Sequence, residues 1–451
     1  MRLKIFNPVT ETMQREALQA AQWHKIKRLI THAYANSEFY RDRMTEANLH
    51  PDDITSIEDY TGRMPFVTKQ DFLRDQDAAP PYGKRLAVPT QQIANAYLTS
   101  GTSGQGQEVH AYTSIENVDS IDSWERSFYW AGVLPGDTGY LMMPVGVTAG
   151  PYALLTAFQH YPLQSFLVGM MEGDARLAMM KRFPPHFICT GPVYLRRLTV
   201  ICNELGIVPR RDFPQMKAIK LGSFSFEVGW AREMEEFWGA KVLDTYASTA
   251  AGSGIAATCE QGTYWPDGRR GIMHFPEDKI FVEVLNPETD QHVQDGEAGE
   301  LVLTPLHRFA MPILRLRTRD RVVFRRHDAC PCGRQLVGIE AGAVSRYDAM
   351  LKIRGMNLWP EAVDALVFGH DEIGEYNGAI SVNDIGREVA TVTVEFKNTC
   401  ALSRAERHAL LSVIKTEIKE KTSVSMEVTE GMVEKFVYKE KRWKDLRSKS
   451  M

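Results

Sequence analysis

The segment Thr99-Ser-Gly-Thr-Ser-Gly-Gln-Gly106 places four hydroxyls, on Thr99, Ser100, Thr102 and Ser103, within five residues. Gly101, Gly104 and Gly106 permit positive φ and a close backbone approach. Such a run can turn successive N–H groups and hydroxyls toward one anion. It lacks the Gly-Lys-Ser/Thr ending of a P-loop, and it joins two strand-like runs, Ile93–Leu98 and 109–112, not a strand to a helix. A flexible polar hairpin is the other reading of the same residues. A second group could hold a metal. Cys330-Pro-Cys332 is a short thiolate pair, and Cys259 and His274 flank a Gly/Pro-rich excursion upstream. Three thiolates and an imidazole satisfy tetrahedral zinc. Free cysteines in a turn, with His274 at a strand edge, is the alternative.

The elements that must position these groups fall into blocks. Residues 1–80 are polar with helical spacing; over 14–40, Leu18, Ala21, Ile26, Leu29, Ile30 and Ala33 recur on one face. From Pro80-Pro81 to about residue 255, strands and helices alternate. Short apolar runs at 140–144, 187–190, 218–221 and 242–244 end in turn or helix-start residues. The stretch 115–132 reads as an amphipathic helix capped by Ser114. This alternation predicts a mostly parallel sheet with helices on it. Residues 279–326 become β-rich, with strands at 280–285, 299–304 and 320–324. The last hundred residues read as a small α+β domain, with strands at 379–382, 390–396 and 424–428 and helices at 360–368 and 404–419. The expectation is an α/β protein with a large domain over 1–345, its β-rich part within about 255–340, and a small domain over 346–451.

Further motifs follow the hydroxyl-rich loop in order: Asp244-Thr-Tyr-Ala-Ser-Thr249, Pro312-Ile-Leu-Arg-Leu-Arg-Thr-Arg-Asp320 and Ser345-Arg-Tyr-Asp-Ala-Met-Leu-Lys-Ile-Arg-Gly-Met-Asn357. This ordered set resembles the adenylate-forming superfamily of acyl-CoA synthetases, adenylation domains and luciferases. The wording Thr304-Pro-Leu…Ala-Met-Pro-Ile-Leu-Arg-Leu-Arg-Thr, with Cys330-Pro-Cys-Gly-Arg334, is similar to its phenylacetate–CoA ligase branch. The resemblance runs from about residue 15 to 447.

The resemblance implies that Ser100, Gly101, Thr102, Ser103 and Gly104 hold the β- and γ-phosphates of ATP. Tyr246 would stack on adenine, Thr249 would approach the α-phosphate, and Asp320 would accept from both ribose hydroxyls. Gly222, Ser223, Asp244, Ala247 and Ser248 complete the nucleotide-side set. Arg346 opens the hinge motif, Asp348 is the swivel, and Arg354 and Gly355 would line a passage for the thiol of CoA. The C-terminal Tyr438-Lys-Glu-Lys-Arg-Trp-Lys-Asp-Leu-Arg447 resembles Gly-Lys-Ala-x-Arg-Val-x-Asp-x-Arg, which makes Lys439 the catalytic lysine, with Lys441 in reserve and a solvated basic tail as the plain alternative. Relatives of the branch carry a like arrangement of Cys259, His274, Cys330 and Cys332, which implies structural Zn2+, and Mg2+ would accompany ATP. The small domain becomes a mobile lid. The implied reaction activates a carboxylic acid to an acyl-adenylate and passes it to CoA, with AMP and pyrophosphate released. Transfer to an amine or a carrier protein, another nucleophile, and a binding-only homologue are the alternatives.

Three departures from the family pattern bear on that choice. Gln105-Gly106-Gln107 stands where the loop usually continues Gly-Lys-Pro, Ala250 stands where a Glu usually ligates Mg2+, and Gly222-Ser-Phe-Ser225 replaces Gly-Ala-Glu-Pro. A slow enzyme, an altered metal site and a fold that has lost adenylation all fit them. The segments expected to line the acid pocket, 142–150, 221–226 and 246–248, contain no Lys or Arg. They favour a monocarboxylic acid with an aromatic or alicyclic body.

The bulk composition excludes other classes. The chain has 451 residues, 44% hydrophobic and 24% charged, with net charge −4. Nothing in it points to a nucleic acid partner or a membrane span. Residues 1–30 have no long apolar run, and six cysteines in a chain this long make no disulfide scaffold, so a cytoplasmic location is expected. A homodimer is compatible with the resemblance.

Overall fold

The structure, a computed structural model, describes residues 5–99, 106–146, 148–222, 225–347, 350–354, 356–370, 372–383, 387–397, 400–433 and 442–447. The chain is mixed α/β and divides into two compact units, Met1–Val344 and Ser345–Met451.

The first unit opens with helices, among them Arg15–Asn36, Glu38–Glu46, Ile57–Arg63 and Lys69–Ala78. The periodic face of the first of these is buried: Leu18, Ile26, Leu29, Ile30 and Ala33 are each no more than 1% exposed. Next comes the antiparallel pair Ile93–Leu98 and Val109–Thr113. The helix Ser114–Ala131 follows. Its cap is Thr113, not Ser114: the Thr113 hydroxyl accepts from Glu116 N–H while the Glu116 carboxylate accepts from Thr113 N–H. This capping box moves the start back one residue. Gly132 closes the helix in a left-handed conformation, with φ +83°.

A five-stranded sheet, entirely parallel, carries the alternating block. Its spatial order is Gln164–Leu167, Thr138–Leu141, Phe187–Thr190, Ala218–Leu221, Lys241–Leu243. In chain order that is 2-1-3-4-5. In open α/β sheets with this order, ligands bind beyond the carboxyl ends of the strands, where the order reverses. Here the reversal lies between Thr138–Leu141 and Phe187–Thr190. One sheet face packs on Trp124 and Phe128 of the capped helix and on Leu154, Ala157 and Phe158 of the helix Ala149–His160. The other packs on Leu195, Leu198 and Trp238.

A second sheet, largely antiparallel, runs in the order Ile280–Leu285, Ala298–Pro305, Leu316–Arg325, Gly338–Glu340, Ile272–His274, Ser253–Thr258, Thr245–Ser248. It contains the β-rich stretch expected from sequence.

The second unit is a four-stranded sheet ordered Glu427–Glu430, Glu388–Phe396, Ile373–Val382, Trp443–Asp445, with the helices Pro360–Val367 and Arg404–Thr422. The strand expected over 424–428 begins instead at Glu427, where pairing with Thr391 starts, and Val424 and Met426 before it are buried in the core. The C-terminal segment is not a solvated tail where it is described. Trp443 pairs in register with Gly378 and is buried, and a Cβ on Gly378 would stand 2.3 Å from the indole. Arg442 pairs with Glu375.

Candidate nucleotide site and cysteine–histidine cluster

Asp320 and Tyr246 sit on different strands of the second sheet, yet the Tyr246 hydroxyl donates to Asp320 Oδ2 at 2.5 Å. A bulge makes this contact. Glu300 faces Arg321 and Val302 faces Arg317, so Thr318, Arg319 and Asp320 stand opposite Leu301 alone. The extra residues re-aim the strand. Arg319 takes φ +63°, a conformation that costs a non-glycine residue about 1–3 kcal/mol. Its N–H donates to Glu300 Oε1, the Thr318 hydroxyl donates to the Leu301 carbonyl, and Asp320 N–H donates to Thr318 Oγ1. Glu300, fully buried, is itself held by Arg317. The outcome is a carboxylate presented beside a buried phenol ring.

The strand Thr245–Ser248 positions Tyr246 as buried, Ala247 as exposed and Ser248 as half-buried; Thr249, just past its end, is also half-buried. The Thr249 carbonyl accepts from the Tyr112 hydroxyl at 2.5 Å, which ties this turn to the strand that follows the hydroxyl-rich loop. Sequence reasoning missed Tyr112, a plain strand tyrosine in the chain. Ala250 is buried in the same core cluster as Leu306, Ile313 and Leu314. A methyl group there supplies no metal ligand.

Asp244, expected on the nucleotide side, is 4% exposed, and both its oxygens are occupied. Oδ1 accepts from Thr245 N–H at 2.8 Å and Oδ2 from Gly342 N–H at 2.7 Å. The Gly342 carbonyl in turn accepts from Phe226 N–H, and Arg270 donates to the carbonyls of Phe226 and Ala341. Asp244 thus braces Gly342, on which Phe226 rests, while Gly222 is half-buried beyond Leu221. Burial raises the Asp244 carboxyl to about 6, against the two N–H donors that favour its charged form. Between the ordinary value of 3.8 and about 6 the folded chain binds more protons than the unfolded one, so stability falls as pH rises through that window. Asp244→Asn does not titrate. The stability of the native chain minus that of Asp244→Asn is expected to drop by roughly 2 kcal/mol between pH 4 and 7. Urea unfolding followed by tryptophan fluorescence at both pH values measures it, and a pH-independent difference would refute it.

The expected phosphate-binding residues Ser100, Gly101, Thr102, Ser103 and Gly104 lie outside the described residues, as do Ser223, Asp348, Gly355 and Lys439. In the second unit Arg346 ends the short strand Ser345–Arg346. Arg354 follows the strand Leu351–Ile353 with φ +50°, and its guanidinium donates to the Ser425 carbonyl.

The structure brings all four expected metal ligands together. Cys259, His274, Cys330 and Cys332 are buried, and their ligand atoms lie within 4.8 Å of one another. Cys259 Sγ is 3.8 Å from Cys330 Sγ, and Cys332 Sγ is 3.5 Å from His274 Nε2. These are not disulfide distances. Tetrahedral bonds of about 2.3 Å to sulfur and about 2.0 Å to nitrogen separate two sulfurs by about 3.8 Å and a sulfur from a nitrogen by about 3.5 Å. The geometry fits. His274 Nδ1 lies 3.3 Å from the Leu336 carbonyl, the outer contact that turns Nε2 inward. Hydrogen bonds from Cys259 and Cys330, with the His274 imidazole beside them, pull the Cys332 thiol far below its usual range against the effect of burial. Burial disfavours charge on His274, yet the thiols of Cys259 and Cys332 raise it to about 10. Arg334, fully buried against Trp130 and paired with Glu11 and Glu260, sets a cation beside the cluster.

This fold and site define a class: the chain belongs to the AMP-binding enzyme family, which matches residues 10–305. Among individual proteins it is 28% identical over 439 residues to a phenylacetate–coenzyme A ligase of Thermus thermophilus, covering 94% of this chain and 95% of that one. It is 29% identical over 432 residues to the phenylacetate–coenzyme A ligase of Escherichia coli, covering 93% and 92%. In fold it is similar to 2-hydroxyisobutyryl-CoA ligase crystallised in the postadenylation state with 2-HIB-AMP. That match has a TM-score of 0.87 at 24% identity and covers 98% of this chain and 92% of that one.

Proposed function

We propose that this chain is an AMP-forming acid–CoA ligase. It activates a carboxylic acid with an aromatic or alicyclic body to an acyl-adenylate, releases pyrophosphate, and transfers the acyl group to CoA with release of AMP. The observation that carries this reading is the bulge-presented Asp320 against Tyr246, in a chain similar over nearly its whole length to phenylacetate–CoA ligases.

The chemistry assigned to the chain is placement and neutralisation of charge. Tyr246 stacks on adenine and Asp320 accepts from the two ribose hydroxyls. Thr249 and Lys439 meet the α-phosphate, Lys439 also meeting the attacking carboxylate, and residues 100–104 hold the departing pyrophosphate. Mg2+ would accompany ATP and would neutralise phosphate charge. With alanine at 250 this chain would offer it one carboxylate fewer, which magnesium tolerates because it keeps several waters. The second unit serves as a lid, with Asp348 its swivel and Arg354 and Gly355 on the CoA side. Cys259, His274, Cys330 and Cys332 would hold structural zinc, and the charge of Arg334 would offset their thiolates. No helix among the described residues is long and apolar enough to cross a membrane. The free cysteines agree with a reducing cytoplasm.

AMP release with a panel of aryl and alicyclic acids, with and without CoA, tests the reading. Acid-dependent AMP release that rises at least about tenfold with CoA is expected, because thioester formation clears the adenylate. Acid-dependent pyrophosphate release with no CoA effect would shift the acceptor to an amine or carrier protein. No ATP turnover with any acid would leave the binding-only alternative, which Ala250 favours.

A further inference from the structure

Lys220 is the third residue of the strand Ala218–Leu221, two residues before Gly222. Its in-register neighbours are Cys189 and Leu243, so it projects from the sheet face packed under the helix Ser114–Ala131. It lies at the carboxyl ends of the parallel strands, where open sheets of this type bind ligands. It is one residue outside the segment 221–226 expected to line the acid pocket, which is why those segments show no cation. Lys220 is 2% exposed. Its ammonium lies over Trp124, 5.5 Å from the ring centroid. Trp124 is fixed in turn: its Nε1 donates to Ser253 Oγ at 3.2 Å, and a Cβ on Gly254 would stand 2.5 Å from the indole.

Among the described residues no group hydrogen-bonds or ion-pairs with Lys220, and its Nζ is not among the fully buried polar atoms that lack a partner, so the ammonium keeps an opening to solvent. Asp244 is the carboxylate whose charge reaches it, but both Asp244 oxygens already accept from backbone N–H groups. An ammonium largely withdrawn from water and without a protein hydrogen-bond partner is costly, and a π face offsets only part of that cost. The positions around it are filled as a core would be, by Ala218, Phe187, Cys189 and Leu243. Packing alone would be served as well by Leu or Met. Burial lowers the ammonium only to about 8, so it is still charged at neutral pH.

We propose that Lys220 is the specificity residue of the acid pocket, and that the preferred acid carries a second, anionic oxygen group, remote from the reacting carboxyl, which pairs with it. This rests on the ligase reading above and adds the substrate class to it. The second group supplies the missing charge-assisted hydrogen bond. A substrate lacking it leaves the ammonium unpaired in the pocket, which discriminates more strongly than an apolar contact does.

The test compares aryl acids bearing a ring carboxylate, a ring hydroxyl or a ring methyl group, by AMP release from native protein and from Lys220→Met and Lys220→Arg. In native protein kcat/KM for the carboxylate-bearing acid is expected to exceed that for the methyl analogue by about 100-fold, with the hydroxyl analogue marking how far a phenolic oxygen substitutes. Lys220→Met is expected to bring that ratio to one or below, and Lys220→Arg to keep part of it. Because Lys220→Met removes a buried charge, its melting temperature is expected to equal or exceed the native value, which separates selectivity from folding. A native ratio near one, or a ratio that Lys220→Met leaves unchanged, overturns the proposal. Turnover of neutral aryl acids without any gain from the second group removes the role of Lys220 and leaves the ligase reading standing. Absence of AMP release with every acid removes both.

Discussion

Replacing Asp320 with alanine is expected to lower kcat/KM for ATP by about 100-fold or more. A carboxylate that accepts from both hydroxyls of a diol makes two charge-assisted hydrogen bonds, each contributing about 1.5–3 kcal/mol, so losing both is a change of two or more decades. Asp320→Asn keeps one acceptor oxygen and gains a donor that faces a hydroxyl, and should lie between. Tyr246→Phe isolates the contact seen here: it keeps the ring and deletes the donor to Asp320 Oδ2. Its expected cost is smaller, about tenfold, because it frees the carboxylate to reorient without removing it. The discriminating measurement is KM for ATP against KM for the acid. Asp320→Ala should move the former with the latter nearly unchanged. An equal rise in both would mean that the bulge had collapsed and that Asp320 is a fold residue, since its N–H is part of the Thr318 turn.

The order of elements was legible because it rests on periodicity, and burial enforces periodicity. Phe187–Thr190, Ala218–Leu221 and Ile280–Leu285 coincide with the runs read from the chain, each a short apolar stretch between turn residues. Boundaries were less legible where side-chain chemistry decided them. Ser114 looks like a cap, but Thr113 stands three residues before Glu116 and takes the role. The metal-type cluster was legible because cysteines are rare and two of the ligands, Cys330 and Cys332, stand two residues apart. Asp320 could be named only through its motif: nothing in Thr318-Arg-Asp320 announces a bulge with a left-handed arginine. The Asp-x-Tyr motif implies a nucleotide-side role for Asp244, and the structure adds a bracing one, because each of its oxygens accepts from a backbone N–H. That accounting exists only in three dimensions, since Gly342 is 98 residues away. Lys220 carried a signal that went unused. It is the one charge in the apolar run Ala218-Ile-Lys-Leu221, where its neighbours in the sheet are buried.

On the zinc reading proposed above, serine in place of Cys332 is expected to abolish zinc binding and to lower the melting temperature of the first unit by at least about 5 °C. The four ligands come from well-separated stretches of sequence, so an ion joining them fastens the strand Ser253–Thr258, the strand Ile272–His274 and the turn at 330–333 to one point. Without the ion, three buried thiols and an imidazole face one another with their charges unbalanced, and Arg334 loses the thiolates it offsets. Zinc bound this way contributes directly to folding, and losing one of four ligands commonly removes the metal. A loss of a few kcal/mol in a unit this large shifts the melting temperature by only a few degrees per kcal/mol, so about 5 °C is a conservative floor. Elemental analysis should find about one zinc per native chain after chelator-free purification and none in Cys332→Ser. Cys189→Ser is the control. That thiol is also buried, with its titration pushed up to about 12, but it lies in the parallel sheet away from the cluster, so zinc content should be unchanged. Native protein without zinc would reduce the cluster to packed thiols, and Cys332→Ser would then cost no more than Cys189→Ser. Because the cluster lies in the β-rich part of the first unit, its loss should act on stability at moderate temperature before it acts on KM for ATP. The Asp320 variant should show the opposite order, and the pair of variants therefore separates what fastens the fold from what holds the nucleotide.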